Sequence, residues 1–537
     1  MKKASVGSRA LLVLVVAVCL LATPLWAQKA SAAGANAVWR FGVMSDTQWT
    51  VPDDGNNPNS VSVGIINQIN SQFINAGVKF VVQVGDLTDN GSALALDTRA
   101  QATQALYDAG IGFYPLRGNH ESSLTGAQEF LLDFPQTQGE GPNVLGAVHF
   151  RSPSSNLKGL SYSFRYRNAT FVLLDQFTRL DGTGGTSSEV SNTNIAGQLA
   201  WIQSTLGTRP ASTHAFVFGH KNLIGQNHVD CLLGSDPSQN AAVRNSFIGA
   251  LAANGVRYYL SGHDHIHQRS LVTSPDGRSS VHQLIGASDS SKFYMPSLPS
   301  NDQIYDSPTR ETSIAQELNR VGYYIVTVDG PRVTIEYYSA VTDPVFDDGE
   351  YLLFTTPIFN FVRQETWTYS LNGKEFLVPQ GLPYTVIQDQ FEGTTAQILS
   401  GTNGSIAVDG SNRQLTKAIN TGWASMKGPV ASAVLTLSGM ANIFVPQTDS
   451  YTLSLSYVSK KAKAKAILSG AFGIAARDSQ GNWVNAVDLN SGGAKKFVIG
   501  PWNANYGLGS YGVDPNTLTT WAVLDYTDDF AAAQFVP

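Results

Sequence analysis

Residues 78–86 read VKFVVQVGD. The run Val78–Val84 is apolar almost throughout, as a strand covered on both faces must be, and it stops at Gly85-Asp86. The same pattern recurs outward from it. Upstream, Val38–Met44 reads as a strand that ends at Asp46-Thr47-Gln48. Downstream, Ile111–Leu116 runs into Gly118-Asn119-His120-Glu121, Ala215–Phe218 into Gly219-His220, and Val256–Leu260 into Gly262-His263-Asp264-His265. Thr170–Leu174 is a further strand. Between these runs Ile65, Ile66, Ile69, Phe73 and Ile74 recur at helical spacing. Gln101–Asp108, the stretch around Leu199, Ile202 and Leu206, and Ala241–Ala253 also read as helices. Alternation of this kind predicts an α/β (α+β) fold with helices covering a sheet. Tyr323–Val328 and Val333–Tyr338 read as paired strands about Asp329-Gly330-Pro331. Asn90–Ala100, Gln136–Lys158 and Leu180–Asn194 read as loops that could wall a cleft.

After about Phe346 the character changes. Helical spacing fades and two-residue alternation appears, as in Leu453, Leu455 and Tyr457 with Thr452, Ser454 and Ser456 between them. Ala433–Leu437, Phe497–Ile499 and Trp521–Leu524 are further strands, separated by Gly, Asn and Ser. The expectation is two units, 38–345 and 346–537, the second an all-β module of sandwich type. The stretch KKAKAK (460–465) reads as an edge strand protected by lysines.

The chain has 537 residues, of which 42% are apolar and 14% charged; a typical globular protein has about 25% charged. That composition excludes a charge-rich disordered chain, collagen, a coiled coil and a disulfide scaffold. Net charge is −6. The first 32 residues hold Lys2, Lys3, Arg9 and Lys29 and no acid, so the rest carries 31 cations against 41 acids, or −10. A nucleic-acid scaffold role is not expected of such a chain. Lys2, Lys3 and Arg9 precede the apolar run Ala10–Ala22, and Ala30-Ser31-Ala32 fits a small-x-small cleavage site. Residues 1–32 are therefore expected to be a signal peptide that directs the protein to the periplasm or outside. No later segment is apolar for the ~18 residues a membrane span needs. Cys19 would leave with the signal; Cys231 remains as a buried thiol with no partner for a disulfide.

Five strands thus deliver Asp, Asn, Gln or His to one edge, where open α/β sheets bind ligands. All are oxygen or imidazole donors. Each fragment alone is weak, since a Gly-Asp after a strand usually caps a helix or makes a turn. Gly-Asn-His-Glu and Gly-His-x-His are more specific, and the ordered set points to a shared metal site. No Gly-x-Ser-x-Gly nucleophile motif is present.

The order D-x-Q, G-D, G-N-H-E, G-H and G-H-x-H over residues 38–340 resembles the calcineurin-like metallophosphoesterase superfamily. That resemblance implies a β-sandwich flanked by helices with a two-metal centre. It implies that Asp46, Gln48, Asp86 and His265 hold one divalent ion and Asp86, Asn119, His220 and His263 the other, with Asp86 bridging. His120 would stay unligated and face the scissile group. Tyr162-Ser163-Phe164, Val172–Asp175 and Gly322-Tyr323-Tyr324 look most like the purple-acid-phosphatase-like branch. That branch carries a tyrosine ligand three residues after the bridging Asp. Here the residue is Asp89, and no tyrosinate colour is expected. Gln48 stands where the family usually has His; an amide carbonyl holds a hard metal more weakly than imidazole, which suits Mn or Fe there better than Zn.

Two such ions about 3.5–4 Å apart would share a water and lower its pKa, and the hydroxide would attack phosphorus. His120 would serve the leaving oxygen. Glu121 would either orient His120 or make a turn, and Lys221 would either touch phosphate or lie on the surface. His267 is expected at the rim or in a structural role, with Asp264 facing away from the metals. The expected function is an exported hydrolase of small phosphate mono- or diesters. The alternative is a weakly active surface protein that works through its β module, whose partner the residues do not name.

Overall fold

The computed structural model describes residues 37–535 apart from 52–53, 55–59, 185–193, 235–239, 297–309, 406, 409, 411–413 and 443–444. The expected signal segment 1–32 and most of Leu180–Asn194 lie outside the described residues. In chain order the first strands are β1 (Trp39–Met44), β2 (Phe80–Val84), β3 (Gly112–Leu116), β4 (Val148–Arg151), β5 (Tyr162–Tyr166), β6 (Ala169–Leu174), β7 (His214–Gly219), β8 (Tyr258–Ser261) and β9 (His267–Thr273). They continue with β10 (Ser280–Ile285), β11 (Lys292–Phe293), β12 (Glu311–Glu317), β13 (Arg320–Asp329), β14 (Arg332–Val341), β15 (Val345–Asp347), β16 (Glu350–Leu352) and β17 (Val362–Ser370). The helices among them are α1 (Val63–Ala76), α2 (Ala93–Gln101), α3 (Gln104–Asp108), α4 (Leu124–Asp133), α5 (Asn194–Gly207) and α6 (Ala241–Ala253).

Two mixed sheets result. One runs β17-β14-β13-β1-β2-β3, with β1, β2 and β3 mutually parallel. The other runs β12-β9-β10-β8-β7-β6-β5-β4, with β6, β7, β8 and β10 parallel. Their inner faces share a single aromatic-rich core: Phe41, Phe80 and Tyr114 from the first sheet meet Phe164, Phe171 and Phe216 from the second. Phe41 crosses Phe171 edge-on at 5.2 Å, and Phe164 stacks on Phe171 at 4.9 Å. Such pairs add about 0.5–1.5 kcal/mol each beyond their burial. The outer face of the first sheet packs on α1 through Ile65, Ile66, Ile69 and Phe73, and that of the second on α5 and α6 through Ile202, Leu206, Phe247 and Leu251. The layers are helix, sheet, sheet, helix. That order is why Val81 and Val82 of β2 are both buried, one on each side.

The C-terminal region is all β apart from short helical turns. One six-stranded sheet runs Glu375–Val378, Lys417–Ala424, Val434–Ser438, Asp529–Gln534, Phe472–Arg477, Trp483–Asn485. The other runs Gln388–Phe391, Thr394–Gly401, Tyr451–Ser456, Thr519–Leu524, Ser510–Asp514, Lys496–Ile499. Trp423, Leu435, Leu453, Leu455, Ala522 and Phe530 fill the space between them. Residues from 37 onward form one compact unit. The two sandwiches are joined by Arg332 to Asp529 at 3.0 Å, Thr416 N to Ser313 O at 2.8 Å and Thr368 N to Ser438 Oγ at 2.9 Å.

Several local expectations change. Asn90–Ala100 is not a loop: Ser92 accepts a hydrogen bond from Ala95 N and starts α2. Gln136–Lys158 contains β4 and three short helical turns. KKAKAK is no strand. It forms a turn at Ser459–Lys461 and a short helix at Ala464–Leu468, because Lys and Ala are good helix formers and no alternating face is buried there. The first sheet also runs on past residue 345, since β17 pairs with β14 from Arg332↔Ser370 to Ser339↔Val362. Among the described residues no helix is long and apolar enough to cross a membrane.

Candidate metal centre

The carboxyl ends of β1, β2 and β3 face those of β7 and β8 across the sandwich. Asp46, Asp86 and Asn119 come from the first sheet, and His220, His263 and His265 from the second. Two groups of donor atoms form, Asp86 with His220 and His263, and Asp46 with Asp86 and His265. Within each group the atoms lie within 4.8 Å of one another, every member is buried, and Asp86 belongs to both. Asn119 Oδ1 lies 2.9 Å from His220 Nε2, beside the first group. Gln48 Nε2 lies 3.1 Å from Asp86 Oδ2 and 2.6 Å from His265 Nε2, beside the second. The structure brings together all seven residues expected to bind metal.

The backbone is bent to achieve this. Asp46, Asp86, His263 and His265 have φ of 29°, 42°, 73° and 53°, the left-handed region that non-glycine residues avoid. Strain of about 1–3 kcal/mol per residue persists where the surroundings fix it, and it clusters at functional sites. Gly118 is required by close approach: a Cβ there would collide with the Asp86 carboxylate, and one on Gly85 would meet His220 Nδ1 at 2.5 Å.

Each histidine has one nitrogen already committed. His220 Nδ1 lies 2.9 Å from Val84 O and donates to it, and His265 Nδ1 donates to Lys292 O at 2.8 Å. Nε2 of each is left toward the carboxylates. His263 is reversed: its Nε2 lies 3.1 Å from Asp230 Oδ1. Burial pushes His263 well below the usual imidazole range and His265 down to about 3, so both rings are neutral and offer lone pairs. Burial also acts against charge on His220, yet Asp86 and Asp46 outweigh it and raise His220 to about 9. Burial, aided by the like charge of Asp86, raises Asp46 to about 7. For Asp86, burial is overcome by His220 and His120, which hold its carboxyl below the usual range.

The donor set fits a pair of divalent cations. Two carboxylates share a dry space with three imidazoles, and Gln48 Oε1 is buried with no hydrogen-bond partner. A half-turn of that amide about its last, soft torsion would exchange Nε2 for Oε1 and present the carbonyl to a cation.

His120 stands on the solvent side, with a quarter of its side chain exposed. Its Nδ1 donates to Asp89 O at 2.6 Å, and its Nε2 lies 3.7 Å from Asp86 Oδ2. Burial lowers its pKa, but Asp86, the Asp89 carbonyl and Glu121 reverse that, and the net shift is upward. Glu121 does not hold the His120 ring. It is buried and accepts from Thr88 N and Oγ1 at 2.8 Å and from Gly118 N at 3.0 Å, locking two ligand-bearing turns together. The position where a tyrosine ligand would stand, Asp89, instead supplies the carbonyl that orients His120.

Other expectations resolve as structure. Lys221 is a buried partner of Asp230, neither on the surface nor in the cleft. Asp264 faces away from the carboxylates and ties down the loop after β7, accepting from Asn222, Gln226, Asn227 and His228. His267 bonds Tyr324 and Glu365 and stacks on Tyr337 at 3.9 Å, a structural role. Asp175 pairs with Arg117 at 2.5 Å, both fully buried, tying the ends of β6 and β3. Cys231 is buried and free. Asp230, His228 and Tyr294 also line the centre, His228 4.2 Å from the His263 ring and Tyr294 4.8 Å from His265. No spacing in the sequence marks them, because His228 and Asp230 lie on an irregular loop after β7 and Tyr294 just past β11.

Residues 40–267 match the family model described as calcineurin-like phosphoesterase. No curated protein matches the chain. Among solved structures, a purple acid phosphatase from yellow lupin (Lupinus luteus) seeds is similar at 15% identity over 62% of this chain, with a TM-score of 0.40. This chain covers 54% of that one, about half its length. A dimetal phosphatase from Danio rerio is similar at 15% identity over 56% of this chain and 95% of its own, with a TM-score of 0.33.

Proposed function

From the match of residues 40–267 to the calcineurin-like phosphoesterase family model, we propose that this protein hydrolyses small phosphate mono- or diesters at a two-metal centre. The ions would be held by Asp46, Gln48, Asp86 and His265 on one side and by Asp86, Asn119, His220 and His263 on the other. The single observation that carries the reading is Asp86, shared by two buried donor groups and faced by His120 from the solvent side. Divalent ions bound there would supply an activated water and charge neutralisation for the phosphoryl oxygens.

The protein's own part follows from the geometry. The Asp89 carbonyl fixes His120 Nδ1, which leaves Nε2 as the atom that carries a transferable proton. Burial opposes that proton, but Asp86 and the Asp89 carbonyl outweigh it and shift His120 upward, which favours an Nε2–H that can donate to the leaving oxygen. Buried walls from β1, β2, β7 and β8 exclude bulk water and strengthen each charge interaction. Glu121, bonded at Thr88 and Gly118, keeps the Asp86 and His120 turns in fixed relation. The N-terminal segment 1–32 supports export, and sequencing the secreted form should find its first residue near Ala33.

The test is hydrolysis by residues 33–537 of para-nitrophenyl phosphate and its bis-ester with Mn²⁺, Fe²⁺, Zn²⁺ or chelator. Metal-dependent turnover that is lost in His120→Ala and Asp86→Ala supports the reading, and the preferred ester names the substrate class. A protein that neither binds metal nor turns over either ester would sink it.

A further inference from the structure

We propose that Asp230, held in place by Lys221, is the positioning residue of one metal position. It fixes His263 through Nε2 so that Nδ1 is the nitrogen offered beside Asp86 and His220. The inference rests on the two-metal reading above and concerns only one of its two positions.

The three histidines of the centre are not fixed alike. His220 and His265 are oriented by backbone carbonyls at Nδ1, which no side-chain substitution removes. His263 is oriented at Nε2 by a side-chain carboxylate, 3.1 Å away. A carboxylate that accepts from the far nitrogen of a ligating imidazole sets its tautomer and raises its basicity. Asp230 is in turn constrained. Its other oxygen takes the ammonium of Lys221, whose side chain is wholly buried directly after His220.

The loop that delivers Asp230 is pinned on its other flank. Asp264, between the two ligand histidines, accepts from Asn222 Nδ2 at 2.8 Å, from the backbone N–H groups of Gln226, Asn227 and His228, and from His228 Nδ1 at 2.8 Å. This places the His228 ring 4.2 Å from that of His263, inclined by 32°, where it blocks rotation of the ligand ring. Lys221, Asp230, His228 and Asp264 thus form one bracket around His263. Among the described residues no carboxylate plays this part at His265 Nδ1, where Ser288 Oγ lies 3.4 Å away beside the Lys292 carbonyl and Tyr294 packs 4.8 Å from the ring.

The experiment is Mn²⁺ binding to the metal-stripped full chain, followed by equilibrium dialysis and by the electron paramagnetic resonance of free Mn²⁺. The wild type is expected to take up two ions. Asp230→Ala should weaken one of them by about 10–100-fold and leave the other unchanged. Asp230→Asn, which keeps an acceptor oxygen, should recover part of the loss. The double variant Lys221→Met with Asp230→Leu removes the buried charge pair as a unit and guards against a folding defect in the single variant; it should bind as weakly as Asp230→Ala. ¹⁵N spectra should show His263 as the Nε2–H tautomer in the wild type and a mixture in Asp230→Ala. Two ions bound at wild-type affinity in the folded double variant would overturn the inference and leave the metal centre standing. Failure of the wild type to bind two ions would overturn both.

Discussion

The two sandwiches of this chain both bury carboxylates, and one pair of them stands apart. In the C-terminal sandwich the buried Asp389 and the part-buried Asp449 are surrounded by donors, as Glu121, Asp175 and Asp264 are in the N-terminal one. Asp389 accepts from Trp423 Nε1 at 2.9 Å, from Thr421 Oγ1 and from Gln390 N. Asp449 accepts from Ser405, Gly404, Tyr384 and Lys417. In the N-terminal sandwich Asp46 and Asp86 instead share one space with His220, with the neutral rings of His263 and His265, and with an unpartnered amide oxygen. Backbone strain divides in the same way. Among the described residues, positive φ outside glycine falls on four of the seven expected ligands in the first sandwich, but only on the turn residues Glu392 and Leu518 in the second. A buried carboxylate saturated by donors holds a fold together. A pair left to face each other on strained backbone is arranged for a cation.

The sharpest test of that contrast is Asp86→Ala. Since Asp86 belongs to both donor groups, both ions should be lost, with a fall in turnover beyond the about 10–100-fold that removal of an outer partner costs. Retention of two ions by dialysis would break the comparison. Next, His120→Ala should reduce kcat by about 10²–10⁴-fold and leave metal content intact if, as proposed, His120 serves the leaving group and not a cation.

A third effect is set by pH. A cation must displace the proton that Asp86 and Asp46 hold on His220, whose pKa is raised to about 9. Mn²⁺ affinity should therefore climb as pH rises from 7 toward 9, by up to about tenfold per unit, and level off above. Below pH 7 the proton on Asp46, raised to about 7, steepens the loss. Affinity independent of pH over that range would contradict the assigned charges. The smallest effect on activity is expected from the other sandwich. Asp389→Ala strands Trp423 Nε1 and should cost about 1–3 kcal/mol in chemical denaturation, with metal content and turnover unchanged.

The grouping of these donors was legible in the sequence because each expected ligand follows shortly after one of five strands. Val78–Val84 announces β2, and Gly85-Asp86 must then lie at its carboxyl end, whatever the rest of the chain does. The same holds for His220 after β7 and His263 after β8. What surrounds the ligands was not legible. Asp230 meets His263 only because Asp264 gathers a loop of no regular period. Glu121 sits next to His120 in sequence yet bonds Thr88 and Gly118 instead. Local signals also misled where they conflicted. Asn90-Gly91 suggested a loop and masked the Ser92 cap of α2, and the alternation in KKAKAK outweighed the helix preference of its residues.

The metal centre lies on the seam between the two sheets, with Asp46, Asp86 and Asn119 on one bank and His220, His263 and His265 on the other. Ions bound there would clasp the halves of the sandwich as well as act on substrate. Ligand bound only by the native state adds about 2.7 kcal/mol of stability at a hundredfold excess over its Kd. Chelation should therefore be felt far from the cleft, as faster amide exchange along β1, β2 and β7, because it unfastens the edge where those strands are held together.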